Sequence, residues 1–346
     1  MSPENEAAGR LQIAVGVILD ARSGQVLIAR RTGQARHGGM WEFPGGKQEP
    51  GETVEDALRR ELLEELDLRV LAARPLMRVP HDYTDLRVEL HVWVVDEWSG
   101  EPRGVQGQQF EWVPVLALHE RKFPEANLRI IRALQLPEFH LITPDLSAFG
   151  TEFFAVTRSL LAAGVKLLQF RSHRLAVRER PQVLRQLSAL CRESGARLVI
   201  NGDPAEARTY GAHGVHLSAT QLMRLRERPL PQSFLMGASC HCAEELQQAE
   251  RIDADYAVLG PVARTHTHVG MTPLGWPGFQ ELVHSMRRVP VYALGGLGPQ
   301  DLAAARRAGA WGVAMISAIW SAPDPAAAVR AGFRGEFHTP EDRTAS

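Results

Sequence analysis

Between residues 45 and 68 the chain reads GGKQEPGETVEDALRRELLEELDL. Glu61, Glu64 and Glu65 fall within five residues, directly after Arg60, and Glu52 stands upstream of them. On a helix, residues four apart are neighbours, so Glu61 and Glu65 share a face and Glu64 lies on its flank. Carboxylates crowded beside an apolar face require cations to compensate them. Oxygen donors of this kind suit hard ions such as Mg²⁺ or Mn²⁺, which also bridge to phosphates. The chemistry open to such a cluster is metal-assisted hydrolysis of a phosphoanhydride, in which the ion neutralises the polyphosphate and polarises a water. The alternative is a solvated charged helix on which Arg59 and Arg60 are ion-pair partners.

The surrounding residues predict the elements that would position these acids. Pro44, Gly45 and Gly46 favour a turn. Thr53 with Asp56 reads as a capping box that starts a helix. Val54, Leu58, Leu62 and Leu66 form an apolar stripe along it. Upstream, residues 11–19 (LQIAVGVIL) and 25–29 read as strands joined across Ser23-Gly24. Downstream, residues 88–95 and 110–113 read as strands and residues 127–134 as a second helix. Together these predict an α/β fold, an α/β/α sandwich with a mixed sheet, occupying residues 1–135.

The 45–68 stretch resembles the Nudix box, G-x5-E-x7-R-E-U-x-E-E-x-G-U, at every defining position except Asp67, where the family has Gly. LQIAVG, WEFPGGK, WSGEP, GQQFEW and FPEAN further resemble the MutT-type branch, nucleoside triphosphate pyrophosphohydrolases that favour oxidised guanine such as 8-oxo-dGTP. The resemblance implies that Glu61, Glu64, Glu65 and the Gly46 carbonyl hold Mg²⁺ or Mn²⁺. Glu111 would join that site or activate water, and Arg60 would orient Glu61. Lys47 and Arg31 would meet the substrate phosphates, Phe43 would line the base pocket, and Asn127 would read the purine edge. Taken alone, Arg31 is equally a surface arginine, Glu111 an exposed strand residue and Asn127 a helix cap. Val92 stands where this branch often has an aromatic residue.

After the short link Gln135-Leu136-Pro137-Glu138 the pattern changes. FHLIT, KLLQF, RLVIN, GVHL, FLMGAS, YAVLGP, VPVYALGG and GVAMIS are short apolar runs alternating with helical stretches. Glycines such as Gly195 and Gly211 read as helix C-caps before strands. Eight even units predict a (β/α)8 TIM barrel over residues 138–335, with an open doubly wound sheet as the alternative. Barrel sites lie at the strand C-termini. Gly295 and Gly296 after the seventh strand, and Ile316 and Ser317 after the eighth, offer backbone N–H groups to a phosphate, or else form plain tight turns.

This half resembles thiamine phosphate synthase and the related thiazole tautomerases, through HLITPD, QFR, GVHL, LGPV, ALGGL and AGAWGVAMISAIW. It departs from the synthase at charged positions. His173 follows Gln169-Phe170-Arg171 where the family has Lys, and Gly202 replaces a Mg²⁺-binding Asp. Gln221 replaces the second Asp, and His266 or His268 stands where the synthase has Lys. Pyrophosphate departure needs cations around it, so the resemblance implies a barrel without ordinary synthase activity. His241 matches a position where tautomerases carry a catalytic His. The barrel is therefore a tautomerase-like enzyme, a phosphorylated-ligand-binding regulatory module, or a degenerate barrel.

Composition bounds the rest. The 346 residues carry a net charge of −1, and 45% are hydrophobic and 23% charged. Without a strongly basic stretch, duplex nucleic acid is not an expected partner. No apolar run reaches the ~18 residues of a membrane span, and the N-terminus lacks signal-peptide character. Three cysteines predict a reducing, cytoplasmic setting. The expected ligands are a nucleoside triphosphate in the first half and a phosphorylated thiamine precursor in the second.

Overall fold

The computed structural model describes residues 9–20, 23–31, 38–105, 107–146, 150–172, 174–264, 272–285 and 288–334. The chain divides into two compact units, Met1–Gln135 and Leu136–Ser346.

The first unit is built on a mixed sheet of β1 (Leu11–Asp20), β2 (Gln25–Arg30), β3 (Trp41–Glu42), β4 (Arg69–Asp82), β5 (Arg87–Ser99) and β6 (Phe110–Pro114). The order is β3-β2-β1-β5-β4, with β6 also paired to β2. β1 and β5 run parallel, and the other pairs run antiparallel. Helix α1 (Val54–Leu66) buries Ala57, Leu58, Leu62 and Leu66. They pack on Ala14, Ile18, Leu27 and Val95 of the sheet. Gly16 keeps this contact close, since a Cβ there would sit 3.0 Å from Leu62. Helix α2 (Glu125–Leu134) packs near β4.

Strand β4 was not foreseen in the sequence. Pro75 and Pro80 interrupt its pattern, and its pairing with β5 shifts register near Val70, Ala72 and Pro75. It lies at the edge of the sheet, where a missing N–H and a bulge are tolerated.

The second unit is a closed, all-parallel barrel of eight strands. These are β7 (Phe139–Ile142), β8 (Leu167–Phe170), β9 (Arg197–Asn201), β10 (Gly214–Leu217), β11 (Leu235–Cys240), β12 (Tyr256–Leu259), β13 (Val291–Leu294) and β14 (Gly312–Met315). Closure by the β14–β7 pair rules out the open sheet. Each strand is a short buried run, as expected where both faces are covered.

Rings fill part of the bore. His140 lies 5.9 Å from His216, 5.3 Å from Tyr256 and 5.4 Å from Tyr292. Gly237 makes room for them, since a Cβ there would meet the Tyr256 ring at 2.1 Å. Burial holds the imidazoles neutral, with the His216 pKa pushed down to about 3 and that of His140 well below its usual value. Among the described residues no helix is long and apolar enough to cross a membrane.

Candidate functional site

In the first unit the glycine turn lies along β1. Ala14 donates its N–H to the Gly46 carbonyl at 2.8 Å, and Gly16 donates to Pro44 at 2.8 Å. Gly45 has φ +142, and a Cβ there would strike the Ala14 carbonyl at 2.1 Å. Gly46 abuts α1, since its Cβ would meet the Glu61 carboxyl at 2.1 Å. The spacing of the motif thus has a steric reason: only glycine lets the turn and the helix acids meet.

The predicted capping box is present. The Thr53 hydroxyl accepts from Asp56 N–H, and Asp56 accepts from Thr53 N–H. Arg60 spans the acids of the box. It donates to Glu52 at 2.8 and 3.2 Å, to Glu61 at 3.0 Å, to Glu64 at 3.4 Å and to the Lys47 carbonyl at 3.0 Å. These partners raise its pKa, the Glu52 hydrogen bond most. Glu65 accepts a 3.4 Å bond from Gly45 N–H. Burial pushes its pKa up to about 7, and the charges of Glu42 and Glu61 add to that.

Glu42 is the member of this group that sequence reasoning missed. It ends β3 opposite Ala29 and pairs with Arg31. Burial raises its pKa, and Arg31 opposes the rise. Glu42 and Glu65 are twenty-three positions apart, and the strand pairing that brings them together has no local signal.

Glu111 stands elsewhere. It is registered with Ile28, whereas Glu42 is registered with Ala29. Adjacent residues on a strand face opposite ways, so the two acids lie on opposite faces of β2. Glu111 accepts from Arg121 at 2.6 and 3.3 Å. The structure therefore brings Glu61, Glu64, Glu65 and Gly46 together with Glu42, and holds Glu111 apart with Arg121.

The remaining expected residues are distributed as follows. Lys47 is exposed beside the turn, its backbone bridged to Ile13. Arg31 is half-buried against Glu42. Phe43 is buried and stacks on Phe123 with ring centres 5.7 Å apart. Asn127 is 8% exposed in the first turn of α2. The cap of that helix is Pro124, which removes the capping alternative for Asn127.

Among the described residues no three His, Cys, Asp or Glu side chains are grouped to grasp one ion as they stand. Guanidinium groups occupy the acids instead: Arg60 on Glu52, Glu61 and Glu64, and Arg31 on Glu42. The donor chemistry still fits a divalent cation, because the crowding that pushes up Glu65 is what a cation between these oxygens would relieve.

In the barrel, a cavity of about 510 Å³ opens at the strand C-termini, and Gly295, Gly296, Ile316, Ser317 and His241 all line it. Its charged lining is cationic, from Arg171 and Arg264, and it includes no Asp or Glu. The Arg171 backbone is fixed by Thr143, whose hydroxyl accepts from its N–H at 2.9 Å and donates to its carbonyl at 3.0 Å. Burial lowers the Arg171 pKa, and Asp145 opposes this. The amide of Gln169 donates to Asn201 at 3.2 Å, while its carbonyl oxygen is buried without a partner. His241 Nδ1 lies 2.9 Å from Glu245; an ionised carboxylate can only accept, so that nitrogen carries the proton.

Gly202 and Gln221, the positions where the synthase resemblance puts metal carboxylates, are joined by a 3.0 Å bond from the Gln221 amide to the Gly202 carbonyl. A divalent ion does not fit here, as no carboxylate faces the cavity. His173, His266 and His268 lie outside the described residues.

Comparison with known proteins agrees with both halves. Residues 139–319 match the family model for thiamine monophosphate synthase, and residues 14–133 match that for a NUDIX domain. The thiamine-phosphate synthase of Thioalkalivibrio sulfidiphilus is 33% identical over 198 residues, covering 57% of this chain and 93% of that protein. That of Methanospirillum hungatei is 32% identical over 192 residues, covering 55% and 93%. The 8-oxo-dGTP diphosphatase of Escherichia coli is 38% identical over 126 residues, covering 36% of this chain and 97% of that protein. The chain is a fusion: an enzyme with a Nudix phosphoanhydride hydrolase domain of MutT type in its first unit, and a member of the thiamine monophosphate synthase family through its second.

Proposed function

We propose that the first unit hydrolyses a nucleoside triphosphate to the monophosphate and pyrophosphate, with Mg²⁺ or Mn²⁺, and that its substrate is an oxidised purine nucleotide such as 8-oxo-dGTP. The observation that carries this is the crowding of Glu65 by Glu61 and Glu42 against the glycine turn. Glu61, Glu64, Glu65 and the Gly46 carbonyl would hold the cation, which when bound supplies charge neutralisation for the polyphosphate and polarises water. Arg60 fixes the Glu61 and Glu64 carboxylates by charge-assisted hydrogen bonds. Lys47 and Arg31 meet the phosphates. A carboxylate accepts the proton of the attacking water, and Glu111 takes part only where Arg121 releases it. Phe43 and Phe123 supply an apolar wall for the base, and the Asn127 amide offers a donor and an acceptor to its edge.

The test is pyrophosphate release by the full chain from 8-oxo-dGTP and dGTP, with and without Mg²⁺. Glu65→Gln should cost at least about 100-fold in kcat, the scale of losing a group that stabilises developing charge. Hydrolysis undiminished by Glu65→Gln would sink the reading, and equal rates on both nucleotides would sink the oxidised-base part of it.

The cationic, acid-free lining favours a second reading, that the barrel binds a phosphorylated thiamine precursor without a divalent ion. Arg171, Arg264 and the N–H groups of Gly296 and Ser317 hold the phosphate, and the barrel forms no thiamine phosphate. Inorganic phosphate should bind the full chain equally in Mg²⁺ and in EDTA. Thiamine phosphate formation from its two precursors would overturn this reading.

A further inference from the structure

Glu42 is a half-buried carboxylate beside the α1 acids, and the hydrolytic scheme above leaves it unused. Three observations fix its position. Its strand pairing with Ala29 sets it on the face of β2 that carries Leu27, and Leu27 packs in the core under α1. Arg31 pairs with its carboxylate, the two side chains being 27% and 28% exposed. Two residues on, Gly45 donates its N–H to Glu65 at 3.4 Å. The charge of Glu42 is also felt directly at Glu65.

The cluster thus holds Glu42, Glu61 and Glu65 close together, with Arg31 compensating Glu42 and Arg60 compensating Glu61. These two arginines have different freedom. Arg60 has Glu52, Glu61, Glu64 and the Lys47 carbonyl as partners, so releasing it would strip several acids at once. Arg31 ends β2 just before the segment 32–37, with its guanidinium at the rim. A guanidinium binds phosphate at least as well as carboxylate, and bidentately. An incoming polyphosphate therefore competes with Glu42 for Arg31.

We propose that the Arg31–Glu42 pair is a substrate-operated gate on the acid cluster: a polyphosphate draws Arg31 away, and the released Glu42 becomes a further oxygen donor to the divalent cation. This rests on the reading of the first unit as a metal-dependent hydrolase. The gate has a physical logic. An uncompensated Glu42 is unfavourable in the free protein, because it faces Glu65. It becomes favourable when phosphate has taken Arg31 and cations have entered. Cation affinity and polyphosphate affinity are then coupled through one side chain, beyond the contacts between the ions and the phosphates themselves.

The test uses Mn²⁺ alone as the probe, titrated calorimetrically into the full chain without nucleotide. Arg31→Gln removes the competitor and should tighten Mn²⁺ binding about fivefold, the scale of one charge a few ångströms away near the surface. The double variant Arg31→Gln/Glu42→Asp carries the same charge but a shorter side chain, and should lose that gain. Equal affinity in Arg31→Gln and the double variant would show that charge acts only through space, and would overturn the proposal. So would an Arg31→Gln chain that binds Mn²⁺ no more tightly than the unsubstituted one.

Should Arg31→Gln fail to fold, Glu42→Gln serves instead. It should weaken Mn²⁺ binding more in the presence of a non-hydrolysable triphosphate than in its absence, and equal weakening in both overturns the gate. Mn²⁺-dependent hydrolysis by the unsubstituted chain separates the two levels. Hydrolysis with unchanged variant affinities removes the gate alone, whereas no hydrolysis of any nucleoside triphosphate removes the parent reading and the gate with it.

Discussion

The two units present opposite solutions to the same electrostatic problem. Beside α1 the acids crowd until Glu65 is pushed up to about 7, and two arginines hold its neighbours. In the barrel cavity no acid is present, Arg171 and Arg264 face the space, and His216 beneath them is kept neutral by burial. Breaking a phosphoanhydride requires a group that lowers the pKa of water, which calls for acids able to hold a cation. Holding a phosphate requires only fixed N–H donors and guanidinium groups. The contrast shows why one chain can carry two phosphate-handling sites with unlike needs. It also shows why losing two carboxylates, at Gly202 and Gln221, changes the barrel more than the loss of the box glycine changes the first unit.

The largest effect that distinguishes the units is their response to acid. The His216 pKa lies at about 3 in the folded barrel, against ~6.5 in an unfolded chain. The depressed value means that the unfolded chain takes up a proton that the folded barrel refuses. Stability is therefore complete above pH ~6.5 and falls as pH drops towards ~3, by up to about 5 kcal/mol. His140 acts in the same direction. Glu65 has the opposite sign. With its pKa raised, its contribution is fully present below ~4.5 and is lost as pH rises through ~7, by about 3 kcal/mol at most in EDTA. Hydrogen exchange followed separately on peptides of each unit should show the barrel weakening between pH 6.5 and 4 while the metal-free first unit firms. A barrel whose protection is flat over that range would break the comparison.

A smaller effect sharpens it. Arg171→Gln should weaken inorganic phosphate binding about tenfold, as expected for one charge-assisted contact. Hydrolysis by the first unit should stay the same. Calorimetry with phosphate and a pyrophosphate-release assay on the same preparation check both halves. Phosphate affinity unmoved by Arg171→Gln would remove the cationic account of the cavity.

The sequence disclosed what is locally encoded. Thr53, Asp56 and the Leu58–Leu62–Leu66 stripe specify α1 within fourteen residues of chain, and all three features are present. The eight barrel strands were legible because each is a short apolar run closed by a turn. What stayed hidden depends on pairing between distant segments. Glu42 reaches the cluster only because β3 lies beside β2. Glu111 looked like a member of the cluster by motif, but whether it faces α1 turns on a one-residue register against Ile28. Arg121, which holds Glu111, belongs to no motif read in the chain. The Gln221–Gly202 bond likewise needed the barrel to close before two substitutions could be seen as one local replacement.

The smallest expected effect concerns Asp67, where the Nudix resemblance has glycine. Asp67 is the residue after α1, in the left-handed region at φ 57 and ψ 31. Its N–H reaches the Leu63 carbonyl at 3.0 Å and that of Leu68 reaches Leu62 at 3.1 Å, an arrangement that ends a helix by reversing its last turn. The barrel fills such positions with glycine, as at Gly195 with φ 63 and Gly211 with φ 66. For a residue with a side chain the left-handed region costs about 1 kcal/mol, less for Asp than for most. Glycine also enlarges the entropy of the unfolded chain, which offsets part of the relief. Asp67→Gly should therefore stabilise the first unit by about 0.5 kcal/mol, a rise of about 2 °C in its Tm. The barrel transition and the hydrolysis rate should not move, because the helix end lies beyond Glu65 and no acid of the cluster changes partner. A Tm that falls would mean that the Asp67 side chain makes a stabilising contact outweighing its backbone strain, and the glycine of the Nudix box would then need an explanation other than backbone conformation.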